Sequence, residues 1–166
     1  MVKGTDLILG IQVLIVQHKI CQDLQVVVST SDKFKGDTTL SNFFVKQFRL
    51  SKSLRTDLQN LLINLGNAYD HTNMDNLHNF IQEKHLPALN HDSFSCKAYK
   101  AVKRQYFLLV ESYNNILAFK SLPVAVESIL LYHLAELQGA AAFMIDHQLE
   151  FQEPSTEPTA KFDLAV

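Results

Sequence analysis

At 166 residues the chain is about one domain long, and with 47% hydrophobic against 19% charged residues it has the apolar material for a core. Fifteen basic and seventeen acidic residues give a formal net charge of −2, which excludes a general attraction to nucleic acid or anionic membrane. Two cysteines, Cys21 and Cys96, lie far apart in apolar stretches and form no CxxC pair, so cysteine-based zinc or redox motifs are unsupported.

No small-residue cleavage site follows Lys3 and the apolar run after it, so a signal peptide is not expected and the cytoplasm is the default location. Leu7 to Val28 is long enough to cross a bilayer. It also carries Gln12, Gln17, His18, Lys19, Gln22, Asp23 and Gln25, which are costly in hydrocarbon. The expectation is a deeply packed helix without membrane insertion.

Thr5 or Asp6 can cap that first helix. Its apolar stripe runs through Leu9, Val13, Val16, Ile20, Leu24 and Val27, and a second row of Leu7, Ile11, Leu14 and Cys21 widens it. A face this broad suits a central helix or one shared with a second subunit. The β-branched residues from Val26 to Thr30 also fit a strand, but the period of 3.6 favours helix.

Ser29 to Thr39 is a polar connection. A second helical segment carries Leu40, Phe43, Phe44 and Phe48. Its pattern loses phase at Ser51 to Ser53, as at a kink or new cap, and resumes through Leu54, Leu58, Leu61, Leu65 and Tyr69. Gly66 and the run from Asp70 to Asn73 mark an ending. Asn73 can cap a short third helix bearing Leu77, Phe80 and Ile81, which Pro87 stops.

The fourth helix begins at Asp92 or Ser93. Tyr99, Val102, Tyr106, Leu109, Tyr113 and Ile116 alternate steps of three and four, a heptad-like seam. Ser121 and Pro123 form a turn, and the last helix carries Val126, Leu130, His133, Leu137, Ala140 and Met144 on one face. Small residues from Gly139 to Ala142 let another helix come close. From Gln152 onward, prolines and acidic residues make a poor helix.

The expected fold is all-α: an antiparallel bundle of four main helices plus one short helix, with an extended C-terminal tail. Residues 1–151 form the bundle domain, and 152–166 a flexible or docked tail.

Candidate chemistry rests on few residues. Tyr99, Tyr106 and Tyr113 share one heptad position, so their rings are expected to stack along a single groove. Their hydroxyls need partners, which His18 or His133 can supply. Such a row lines a ligand pocket, fills a core or forms a dimer seam. His71, His78, His85 and His91 surround the short helix. His78 and His85 sit about 10 Å apart along it, too far to share one ion unaided.

His133 with Glu136, and His147 with Glu150, are each spaced i, i+3, so imidazole and carboxylate share a face. The order reverses the Glu-x-x-His of di-metal bundles, and the two pairs are too far apart to share a cluster. A divalent metal at His133 and Glu136, with Glu111 from a neighbouring helix, is the metal reading. No other cofactor is expected. Ser29, Ser31, Ser51 and Ser93 read as caps or turn residues, outside any nucleophile elbow, and no phosphate-binding loop exists. Cys96, beside Lys97 in a first helical turn, has no identified base. The basic run Lys46, Arg49, Lys52, Arg55 reads as a solvated face.

These features point to a non-enzymatic interaction or regulatory module that associates with itself or with another protein. A metal-dependent or ligand-binding bundle is the alternative. Nucleic acid is not an expected partner.

Overall fold

Four segments in which core positions recur every three or four residues fold as helices: α1 (Gly4–Ser29), α2 (Thr38–Asn64), α3 (Phe94–Leu117) and α4 (Val124–Asp146). The computed structural model describes residues 4–30, 38–66 and 98–147, the backbone of 94–97, and Asp75, Asn76 and Asn79. The short helix expected around Leu77, Phe80 and Ile81 is not shown, since those residues lie outside the described ones. His71, His78, His85, His91, Glu150 and the C-terminal tail lie outside them too. The side chain of Cys96 is likewise not described.

Helix ends follow local chemistry. Gly66, at φ +82°, adopts the left-handed conformation that closes α2, its N–H reaching the Ile63 carbonyl at 3.0 Å. Pro123 precedes α4 at φ −57°, and its carbonyl accepts from the Glu127 N–H at 3.0 Å. Glu127 also places a carboxylate in the first turn, where the helix dipole favours it.

Contacts between named residues fix the helix directions. Gly10 meets Ile116, His18 meets Tyr113 and Gln25 meets Tyr106, so α1 and α3 run antiparallel. Tyr99 meets Met144 and Tyr113 meets His133, so α4 opposes α3. Phe43 stacks on Phe143 while Asp57 reaches His133, so α4 opposes α2 as well. The bundle is therefore up-down-down-up, with one long connection of residues 65–93 between the parallel pair α2 and α3. At Gly10 the Ile116 side chain packs so closely on α1 that a Cβ there would lie 3.0 Å from it.

Each helix has a heptad row that is buried at every position. On α1 it is Leu7, Ile11, Leu14, His18, Cys21, Gln25 and Val28, all buried. On α2 it is Leu40, Phe44, Gln47, Ser51, Leu54, Leu58 and Leu61. These stripes correct two readings of the sequence. On α1 the row through Leu7 and Ile11 is the fully buried one, while on the more apolar stripe Val16, Ile20 and Leu24 are buried and Leu9 is 55% exposed. The α2 pattern does not lose phase at Ser51. It continues unbroken, with Gln47 and Ser51 filling two core positions that a purely apolar count passes over.

By length and composition alone, α1 and α4 are each apolar enough to cross a membrane. In the bundle 61% of the most apolar stretch of α1 is buried, against 39% of that of α4. Gln17, His18, Gln22 and Gln25 of α1 are all buried, while Lys19 stays exposed and pairs with Asp23 at 2.7 Å. Burying those polar groups is tolerable only where other helices supply hydrogen bonds.

Candidate functional site: a tyrosine ladder through the core

The three tyrosines of the α3 seam are all buried, and each phenol bonds to a different neighbour. Spaced seven residues apart, they stand about 10 Å from one another along the helix. The rings of Tyr99 and Tyr113 meet aromatic side chains of other helices: Phe44 at 6.1 Å from Tyr99, and His18 and His133 each at 5.8 Å from Tyr113. They form a ladder rather than a stack.

The lowest rung is Tyr99. Its hydroxyl donates to the Met144 carbonyl at 2.9 Å, in the last turn of α4, where helix carbonyls commonly turn to side-chain donors.

At the middle rung, Gln25 Nε2–H donates to Tyr106 Oη at 2.7 Å, and Tyr106 donates onward to Gln47 Oε1 at 3.0 Å. Ser51 and Gln25 add longer contacts of 3.3 and 3.4 Å. Burial, with the nearby Cys21 sulfur, raises the phenol well above its ordinary value against the opposing Gln25 bond. The Cys21 thiol is itself raised by burial and stays protonated. This layer is neutral throughout.

The top rung is chemically richer. Asp57 Oδ2, His133 Nε2, His133 Nδ1, Tyr113 Oη and His18 Nε2 follow one another, with hydrogen bonds of 3.1, 2.9 and 2.7 Å between residues. Each of the four helices supplies one residue. The carboxylate fixes the direction of the chain. Asp57 only accepts, so His133 Nε2 carries the proton and its Nδ1 is the acceptor. Tyr113 must then donate to His133, and His18 Nε2–H must donate to Tyr113. The logic leaves a lone pair on His18 Nδ1, and that atom is buried with no hydrogen-bond partner.

The electrostatics agree with neutral imidazoles. Burial first, then the neighbouring His133 and Arg55, lower His18 to about 3. Burial also lowers His133, against the opposing hydrogen bond and charge of Asp57. Burial and the Asp57 charge raise Tyr113 well above the usual phenol range. The Asp57 side chain is 43% exposed while that of His133 is 0% exposed, so the chain runs from the rim into the core.

The residues of the metal reading are not brought together. Both ring nitrogens of His133 are engaged by Asp57 and Tyr113. Glu136 is half-buried and Glu111 is exposed. The i, i+3 spacing puts Glu136 on the same side of α4 as His133, but His133 turns into the core and Glu136 stays at its rim. No group of three or more His, Cys, Asp or Glu side chains able to hold a metal occurs among the described residues. Glu136 instead joins Phe43, Lys46, Gln47, Ala135, Gly139, Ala140 and Phe143 around a groove of about 400 Å³ between α2 and α4. Tyr99, Tyr106, Tyr113 and His18 do not line it.

In the sequence Asp57 and Gln47 stand out for nothing, Gln25 only as a polar group in an apolar span, and Ser51 as a cap or turn residue, whereas it is buried inside α2. The available signal was position: Gln25, Gln47 and Ser51 fall on core heptad places, and Asp57 directly precedes one.

An antiparallel bundle whose two halves are joined by one long crossover is a ferritin-like arrangement. A solved structure of the same kind, a mutant of Mycobacterium smegmatis Dps1, superposes with a TM-score of 0.70. The match covers 87% of this chain and 96% of that one at 13% sequence identity, so the likeness is one of fold. No sequence-family profile matches the chain, and no curated protein matches it in sequence.

Proposed function

We propose that the chain is a non-enzymatic, cytoplasmic interaction or regulatory module that works as a homo-oligomer, with α4 at the contact between copies. The observation that carries this reading is a second heptad seam on α4, opposite the buried one. Val124, Ser128, Leu131, Ala135, Gln138, Ala142 and Ile145 follow one another in alternating steps of four and three, and every one is exposed. The seam has no charged residue. Val124, Leu131 and Ile145 are 78%, 50% and 42% exposed, with Tyr132 beside them at 56%.

Isolated apolar side chains on a surface are ordinary, but a continuous uncharged stripe of heptad spacing is what pairs one helix with another. Small residues at Ala135 and Ala142 allow close approach between larger knobs at Leu131 and Ile145. The same stripe on a second copy is the simplest complement, because an isologous contact uses one patch twice. The Dps-like fold is consistent with assembly.

Size-exclusion chromatography with light scattering tests the proposal. The wild-type chain is expected to run as a dimer or larger, and Leu131→Glu as a monomer with unchanged helical content. A wild-type monomer across a broad dilution series overturns the reading.

A further inference from the structure

We propose that Asp57, His133, Tyr113 and His18 form a proton-transfer site, in which a proton bound at His18 Nδ1 is passed through the core to the His133–Asp57 pair. The ligand of the site is the proton itself. The inference rests on three observations: an unbroken chain of short contacts, a direction fixed by the carboxylate, and a buried acceptor left open at the far end. It is independent of self-association.

The transfer balances atom by atom. A proton adds to the lone pair of His18 Nδ1. The proton on His18 Nε2 moves to Tyr113 Oη as the phenol's own proton moves to His133 Nδ1. With hydronium as the acid, three N–H or O–H bonds break and three form, the third pair being an O–H of hydronium, which leaves as water, and the new Nδ1–H of His18. His18 ends neutral with its proton on Nδ1, and Tyr113 ends as the phenol it began as. The positive charge comes to rest on His133, against the Asp57 carboxylate. The reverse sequence carries a proton from His133 to the interior end.

Geometry favours this resting place. His18 is wholly buried, with Arg55 of α2 and His133 of α4 acting on it and no carboxylate bonded to it. His133 instead touches Asp57, whose side chain is open to solvent. Tyr113 of α3 carries no charge before or after the step, as suits a phenol whose ionisation burial opposes. Since the four residues come from four helices, one proton changes hydrogen-bond polarity across the whole bundle. The Tyr106 layer cannot do this, because Gln25 and Gln47 amides do not exchange protons within this range.

Nitrogen-15 histidine NMR of the full chain tests the proposal, over the pH range in which circular dichroism remains native. At pH about 8 both His18 and His133 are expected as neutral Nε2–H tautomers, since that pH lies above the ordinary histidine value of about 6.5. As the pH falls and His133 takes its second proton, His18 is expected to switch to Nδ1–H over the same interval, without becoming an imidazolium. Tyr113→Phe is expected to uncouple them, with His133 titrating while His18 keeps Nε2–H. If that variant does not fold, Asp57→Asn serves: both transitions are expected to move to lower pH by the same amount. An Nδ1–H tautomer at His18 at the outset, a His18 tautomer unchanged while His133 titrates, or transitions that move separately in Asp57→Asn would each overturn the proposal.

Discussion

The Tyr113 and Tyr106 layers share a heptad position on one helix, two turns apart, and each phenol accepts from α1 and donates onward. They differ in what flanks the phenol. Tyr106 lies between two glutamine amides, which hold one protonation state at all ordinary pH values. Tyr113 lies between two imidazoles, one of them tied to a carboxylate. The same backbone geometry therefore holds an inert hydrogen-bond layer and a titratable one. Burial alone does not decide which; the side chains supplied by the neighbouring helices do.

The largest effect should be common to both layers. Tyr113→Ala and Tyr106→Ala each remove a fully buried ring and are expected to cost about 3–5 kcal/mol in urea unfolding. A much smaller loss at either would remove that ring from the core.

Acid separates the layers next. His18 titrates near 3 when folded and near its ordinary value of 6.5 when unfolded. Between those values the unfolded chain binds more protons, so stability is complete above pH 6.5 and falls as pH drops toward 3. From pH 7 to 5 the loss from His18 is about 2 kcal/mol, at roughly 1.4 kcal/mol per unit inside the window. The lowering of His133 adds to it in the same direction. Tyr106→Phe is expected to leave this acid loss unchanged, because nothing in its layer titrates there. A changed acid loss would show that the layers are coupled.

Removing hydroxyls alone gives a smaller effect. Tyr106→Phe and Tyr113→Phe each orphan a buried donor and a buried acceptor, at an expected cost of about 1–3 kcal/mol at pH 8. Smallest is Ser51→Ala, whose contacts to Gln25 are long at 3.3 and 3.4 Å. It should cost under about 1 kcal/mol, since a hydrogen bond near its geometric limit contributes little.

The same polar layers explain what the sequence made legible. The seams of α3 and α4 are legible because tyrosine, histidine and small residues share the apolar period, and every residue on them is buried. The all-helical bundle followed from those periods. On α1 apolarity points to the row through Leu9, although His18 and Gln25 belong to the row that is buried at every position. On α2 a count of apolar residues breaks where Gln47 and Ser51 complete the Tyr106 layer. Counting only apolar residues misplaces a helix face wherever hydrogen bonds fill core positions. Asp57 was illegible for another reason. Its role depends on where α4 lies against α2, and no spacing within either helix encodes that. His18 and His133 were recognisable as partners for a buried phenol, but that both meet the same one follows only from the up-down-down-up topology.

Urea unfolding of the wild type and His18→Gln at pH 7 and pH 5 tests most directly whether the upper layer holds neutral histidine in the core. Glutamine keeps an N–H donor toward Tyr113 and cannot titrate. The acid loss is expected to shrink by about 2 kcal/mol in the variant, the share assigned to His18 by its lowered pKa. An acid loss of equal size in both proteins would contradict the titratable layer.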